Sequence, residues 1–410
     1  METQSRSYIF SEYSPVHNSQ VRVAISWENI FYTVKTKKKT TEVLKGISGF
    51  ANPGELVTIL GSSGAGKTCF LNILAKKTTN SRKQIVTGQV YANEVPVSEL
   101  NYGDLAGYVT QEDILLPVLT PEEAITFSAK LRCREKDIPQ RVKSVIQELN
   151  LTEVAKNYIG SVEQKGISGG ERKRVCIAVE LVSDPSVLFL DEPTSGVDTF
   201  TAEMLLDLLI DQTRKGRTVI TTVHQPSSAM FAKFQKLVLM SEGHIVYQGD
   251  SSQSVEYFRS LGYACPRHIN PTDYFMKVLH VVDRNQLTEE ESHRQNLFVS
   301  TYKHQELQVL SGKQTENLTE LKKFKRKRAS SRLVQLKELM QRAGKNAARN
   351  PALSRVKLLQ TIGIALLVDL VFYDLNTDLE GIQSINGVLF FLVINQATFG
   401  SQNATLACKF

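Results

Sequence analysis

The sequence predicts an α/β domain built on a mostly parallel sheet, followed by a shorter α-helical region with two apolar stretches. Three observations carry this expectation. Glu55–Leu60, Val187–Leu190 and Thr218–Val223 are short apolar runs of the kind found in strands buried on both faces. Pro121–Arg132 and Pro139–Leu149 have helical apolar spacing and each begins at a proline. Beyond residue 357, two mostly apolar stretches are separated by an acidic segment and preceded by a basic one.

The elements follow in order. Residues 1–20 form a polar tail, with no apolar h-region of the kind a cleaved signal peptide carries. Val21–Val34 alternates apolar and polar residues, as an exposed antiparallel strand does. The domain is expected to span residues 21–280, with a helix at Cys69–Lys76 after the Glu55–Leu60 strand. Residues 281–332 read as a polar and basic linker with one helix at most. Residues 333–357 read as an amphipathic connecting helix, with Leu333, Leu336, Met340 and Ala343 at helical spacing, broken or restarted at Asn350-Pro351.

Residues 358–410 hold two apolar stretches, at about 358–375 and 384–408. The first, taken alone, fits a buried soluble helix as well as a membrane-crossing one, since a crossing helix needs about 20 mostly apolar residues. The flanks favour crossing. Lys322–Arg328 is almost solid positive charge, whereas Asp374, Asp378 and Glu380 follow the first stretch without a Lys or Arg. That is the positive-inside pattern, with the large domain on the cytoplasmic side. The net charge of +7 therefore reads as a membrane-surface feature rather than a nucleic-acid one. The five cysteines, Cys69, Cys133, Cys176, Cys265 and Cys408, are scattered, which excludes a disulfide framework or a zinc cluster and fits a reducing compartment.

Gly61-Ser62-Ser63-Gly64-Ala65-Gly66-Lys67-Thr68 matches G-x-x-x-x-G-K-[ST] between an expected strand and an expected helix. Such a loop curls its backbone N–H groups toward phosphate oxygens, and the helix N-terminus adds its positive end. Lys67 is expected on the β- and γ-phosphates and Thr68 on Mg2+. Val187–Leu190 ends in Asp191-Glu192, an acidic pair placed to hold Mg2+ through water (Asp191) and to polarise an attacking water (Glu192).

Ile167-Ser168-Gly169-Gly170-Glu171-Arg172-Lys173-Arg174 precedes that pair and resembles the LSGGQ-type signature of the ATP-binding cassette (ABC) family. The resemblance implies a P-loop NTPase with a RecA-like core, an antiparallel β subdomain and a helical signature subdomain, followed by α-helical transmembrane segments. It implies that Ser168, Gly169, Gly170 and Glu171 meet the ATP held by an opposite subunit. Gln111, in Tyr108-Val109-Thr110-Gln111-Glu112-Asp113, resembles the Q-loop glutamine that touches Mg2+. Asp198, in Ser195-Gly196-Val197-Asp198, resembles the D-loop, and His224, in Thr222-Val223-His224-Gln225-Pro226-Ser227, the switch histidine. Val34 stands where many members place an adenine-stacking aromatic, and Tyr32 points into the strand's packing, which leaves the choice between ATP and GTP open.

Finer motifs resemble the White-type (ABCG) half-transporters: Asn52-Pro53-Gly54-Glu55, Leu119-Thr120-Pro121-Glu122-Glu123, Gly169-Gly170-Glu171-Arg172-Lys173-Arg174, His224-Gln225-Pro226-Ser227 and Asn270-Pro271-Thr272-Asp273-Tyr274. The resemblance implies an ATPase subunit that pairs with a second half, in a homodimer or a heterodimer, and exports a lipid, sterol or other hydrophobic or amphipathic substrate. It implies a multi-pass membrane protein with a cytoplasmic ATPase, truncated here after its second membrane helix. Phe391, Asn395 and Thr398 share one helical face there, and facing a substrate cavity or packing against another helix are both open. Two rival readings are a half that binds ATP without turnover and a soluble ATPase acting on nucleic acid or ribosomes. The intact Lys67, Gln111, Glu192 and His224 weigh against the first, and the apolar stretches against the second.

Overall fold

In the computed structural model of the chain, the described residues are 21–37, 39–133, 137–161, 165–281, 288–313, 321, 330–349, 351–371, 373, 382–383 and 385–394. They divide into two compact units. One comprises residues 1–111 and 184–326, the other 112–183 and 327–410.

The first unit begins with two long strands, β1 (Ile25–Lys35) and β2 (Thr40–Ala51), then β3 (Leu56–Gly61) and α1 (Lys67–Leu74). β4 (Gln84–Ala92), β5 (Val95–Pro96) and β6 (Ala106–Val109) follow. β1, β2, β4 and β5 form an antiparallel sheet in the order β2-β1-β4-β5. β1 is the antiparallel strand that the sequence suggests, but it is paired on both sides and more of it is buried than an exposed strand would bury. Its Trp27 and Ile30 are buried, and the Trp27 indole meets the Phe70 ring of α1 edge-on at 5.2 Å. The alternation breaks at Asn29, whose φ is 49°, where the pairing with β4 shifts register between Glu28 and Phe31. Opposite this bulge only glycine fits: a Cβ on Gly88 (φ +91°) would lie 2.2 Å from the Asn29 carbonyl oxygen.

The second unit, which interrupts the first in sequence, holds α2 (Pro121–Arg132), α3 (Ile138–Glu148) and α4 (Gly169–Leu181). Thr120 and Glu123 form a reciprocal capping box on α2, with Pro121 at its first turn. The chain then returns to the first unit through β7 (Val187–Leu190), α5 (Thr199–Arg214), β8 (Thr218–Thr222), α6 (Ser228–Lys233), β9 (Lys236–Ser241) and β10 (His244–Asp250). These strands join β3 and β6 in a six-stranded sheet ordered β10-β9-β3-β8-β7-β6. All neighbours in it are parallel except β9 and β10. β3, β7 and β8 are buried along their whole length, as their apolar sequences require.

α7 (Ser251–Ser260), α8 (Pro271–Leu279) and α9 (Glu289–Leu310) complete the unit. α9 is the helix that the linker reading allowed. Its sequence is charged, yet a Thr288–Glu291 capping box starts it and Phe298 and Tyr302, one turn apart, anchor it. The Phe298 ring packs edge-on against Phe258 at 5.4 Å and Tyr263 at 4.9 Å.

In the second unit, α10 (Arg332–Arg349) ends just before Asn350 and α11 (Pro351–Val371) starts at the proline, as the ring's missing N–H favours. α10 inverts the amphipathic expectation. Its apolar residues Leu333, Leu336 and Met340 are exposed, and its charged face lies on α2. Glu338 pairs with Lys130 at 2.9 Å, Lys345 and Arg349 both bind Glu123, and the Arg342 guanidinium sits over the Phe127 ring. α11 begins before the expected apolar stretch and ends before its far limit, and residues 385–394 are helical. No helix among the described residues is long and apolar enough to cross a membrane. Gln360, Thr361 and Asp369 interrupt the apolar run of α11, and residues 395–410 of the second stretch lie outside the described set.

Hydrogen bonds from Arg349 first, then from Lys345 and the Thr120 backbone, lower the Glu123 carboxyl from 4.5 to about 2, against the opposing effect of burial. A depressed folded value contributes stability that is full above 4.5 and is lost as pH falls through about 2. Glu123→Gln is expected to cost about 1–2 kcal/mol at neutral pH. Melting curves of wild type and variant, compared across pH, should converge as the medium is acidified toward that lower value; a constant gap would contradict the assignment.

Candidate functional site

The site is built at the C-terminal edge of the parallel strands. β3 ends at Gly61, and the chain turns through Ser62, Ser63, Gly64 and Ala65 into α1. Gly66 is the N-cap of α1 at φ 99°, and a Cβ there would lie 2.8 Å from Leu44 Cδ2, so glycine is needed for both conformation and space. Lys67 folds back over the loop, with its Nζ donating to the carbonyl of Gly61 at 2.7 Å and of Ser62 at 3.3 Å. It is 7% exposed. Burial lowers its pKa, while the Glu192 and Asp191 carboxylates oppose that shift. The Ser62 hydroxyl is buried in the loop without a hydrogen-bond partner.

β7 delivers Asp191 and Glu192 beside this loop. Asp191 is buried, and its Oδ1 accepts from the Thr68 hydroxyl at 3.2 Å and the Thr222 hydroxyl at 2.7 Å. Its amide donates to the Val109 carbonyl of β6 at 3.0 Å. Glu192 adopts φ 44°, and its amide donates to Thr222 Oγ1 at 2.8 Å. Its carboxylate accepts from Gln111 Nε2 at 2.9 Å. Gln111 follows β6, so three neighbouring strands, β6, β7 and β8, contribute to one hydrogen-bonded group. His224 stands two residues past β8 with an exposed side chain. Asp198 caps α5 by accepting from the Thr201 amide at 2.9 Å, and these bonds lower its pKa.

A hydroxyl and a single carboxylate 3.2 Å apart form a hard-oxygen pair suited to Mg2+, which is held by one or two carboxylates and completed by phosphate oxygens and water. The neighbouring ammonium, the unpartnered Ser62 hydroxyl and the free N–H groups opening α1 are donors suited to phosphate. The donor set therefore fits Mg2+ with a nucleoside triphosphate.

Ser168, Gly169, Gly170 and Glu171 lie in the other unit, at the start of α4. Ser168 is the N-cap, and its Oγ and amide both donate to Glu171 Oε2 at 2.8 Å. Glu171 is thus committed to capping, which leaves the backbone N–H groups of this turn as the donors for a phosphate. One turn further, buried Lys173 pairs with Asp113 at 2.9 Å. Phe391 is exposed in the 385–394 helix, and Asn395 and Thr398 lie outside the described residues.

Sequence reasoning passed over Thr222. Nothing in the strand TVITT marks its last threonine, because a buried β-branched residue is ordinary there.

Comparisons with known proteins show what the chain is similar to. A family profile described as ABC transporter matches residues 44–195, and two described as ABC-2 type transporter match 224–358 and 334–407. A broad substrate specificity ATP-binding cassette transporter of Bos taurus, ABCG2, is 37% identical, over 93% of this chain and 62% of its own length. Protein white of Drosophila melanogaster is 35% identical over 89% of this chain and 54% of its own length. ABC transporter G family member 5 of Arabidopsis thaliana is 36% identical over 88% and 58%. The chain thus spans between half and two thirds of these curated relatives. With the P-loop, signature and acid pair in family order, the chain belongs to the ATP-binding cassette transporter family, in its White-type (ABCG) branch.

Proposed function

We propose that the chain is the ATP-binding and ATP-hydrolysing part of a membrane transporter of the half-transporter type. The observation that carries this reading is the grouping of Lys67, Thr68, Asp191, Glu192 and Gln111 at one edge of the parallel sheet. Lys67 and the P-loop amides bind the triphosphate. Thr68 and Asp191 hold Mg2+, with Gln111 completing the site, and the ion supplies neutralisation of charge on the phosphate oxygens. Glu192 accepts a proton from the attacking water, and Gln111 orients its carboxylate. His224, at the end of β8, contacts the terminal phosphate. Asp198 holds the start of α5 beside the nucleotide.

The signature residues Ser168, Gly169 and Gly170 close on the nucleotide of a second half, so each complete site needs two chains. Support comes from the single P-loop and single signature in the sequence. Homodimer and heterodimer both satisfy this requirement. The ABC-2 type match at 334–407 supports a multi-pass membrane domain with the ATPase on the cytoplasmic side. The resemblance to White-type half-transporters supports a hydrophobic or amphipathic substrate, lipids and sterols included.

In detergent-solubilised protein, Glu192→Gln is expected to cut ATP turnover by ~10²-fold or more while ATP affinity changes little. Unchanged turnover would remove Glu192 from the base role. Mixing Lys67→Ala with Ser168→Arg, each inactive alone, should restore part of the activity, because a mixed dimer regains one intact pair of P-loop and signature. A mixture as inactive as its components would rule out the shared site.

A further inference from the structure

Thr222 closes β8 and is fully buried. Its hydroxyl makes two bonds of opposite sense. It donates to Asp191 Oδ1 at 2.7 Å and accepts from the Glu192 amide at 2.8 Å. One oxygen on a neighbouring strand therefore grips both acids.

Each bond has a consequence. Glu192 sits at φ 44°, a left-handed conformation that residues with a side chain hold only where their surroundings impose it. The bond from its amide imposes it here, and the resulting backbone aims the carboxylate at Gln111 Nε2. Asp191 Oδ1 takes its other donor, Thr68, at the longer distance of 3.2 Å. Without Thr222 the Asp191 Oδ1 would keep only that longer contact, and the Glu192 amide would lose its acceptor in a partly buried setting.

We propose that Thr222 is a positioning residue for ATP hydrolysis: its hydroxyl sets the Asp191 carboxylate for Mg2+ and the Glu192 carboxylate for water activation at the same time. The inference rests on the roles given above to Asp191 and Glu192. A hydroxyl that merely satisfied its own buried polarity would affect folding and leave the two acids in place.

The test compares Thr222→Val, which keeps the shape and removes the hydroxyl, with Thr222→Ser, which keeps the hydroxyl, in the full chain. Thr222→Val is expected to lower kcat by ~10-fold or more with KM little changed, as loss of an aligned group does. Thr222→Ser is expected to retain most of the turnover. A second readout is Mn2+ affinity in the presence of a non-hydrolysable ATP analogue, followed by electron paramagnetic resonance. Affinity should fall in the valine variant and hold in the serine variant, while analogue binding in EDTA stays equal in all three proteins. Should Thr222→Val fold poorly, Thr222→Ala removes the hydroxyl without placing a methyl against the Asp191 carboxylate. Wild-type kcat and Mn2+ affinity in the valine or alanine variant would overturn the proposal, as would equal losses in valine and serine. If Asp191→Asn and Glu192→Gln also leave metal binding and turnover intact, the underlying assignment of the acids falls with it.

Discussion

One residue, Asp191, ties four strands together. Asp191 follows β7, its Oδ1 takes hydrogens from Thr68 beyond β3 and from Thr222 on β8, and its amide bonds to β6. A buried, multiply bonded carboxylate is costly to leave unpaired, so the strand ends are held in one arrangement. The rest of the site depends on that arrangement. Lys67 starts the helix that brings Thr68, Glu192 leaves β7 in the conformation Thr222 supports, and Gln111 leaves β6 where it can reach Glu192.

The two units solve different problems. The strand-rich unit buries Lys67 and Asp191, and burial sharpens the electrostatics of Lys67 against the two acids. The helical unit orders the start of α4 by capping and by the Lys173–Asp113 pair, so that the glycine N–H groups stay available. It also seats α10 on α2 through Glu123, Lys130 and their partners, which leaves the apolar side of α10 facing outward.

Much of this was legible in the sequence, and the exceptions have physical reasons. The strands β3, β7 and β8 were readable because burial on both faces forces continuous apolar runs. The P-loop, acid pair and signature were readable because phosphate and Mg2+ admit few residue types at such spacing. The antiparallel strand β1 was readable from its alternation, but the extent of its burial was not, because its second partner, β4, lies far along the chain. α9 is a helix that the linker reading allowed, but its place was not legible, because two aromatic anchors hold it, a pattern too sparse to stand out among its charges. The seating of α10 was hidden because sequence periodicity ranks apolar faces, whereas here charged residues make the contact. Thr222 was hidden for a related reason: its role depends on which strand lies next to β7, and a buried threonine carries no local mark of that.

The central claim is that the P-loop and the Asp191 carboxylate form one site for Mg2+ and ATP. The most direct measurement is the melting temperature of wild type and Asp191→Asn with ATP in EDTA and with ATP plus Mg2+. The account predicts that ATP alone stabilises both proteins and that Mg2+ adds a further rise in wild type which Asp191→Asn lacks. An equal Mg2+ increment in both proteins, or no response to ATP in wild type, would contradict it.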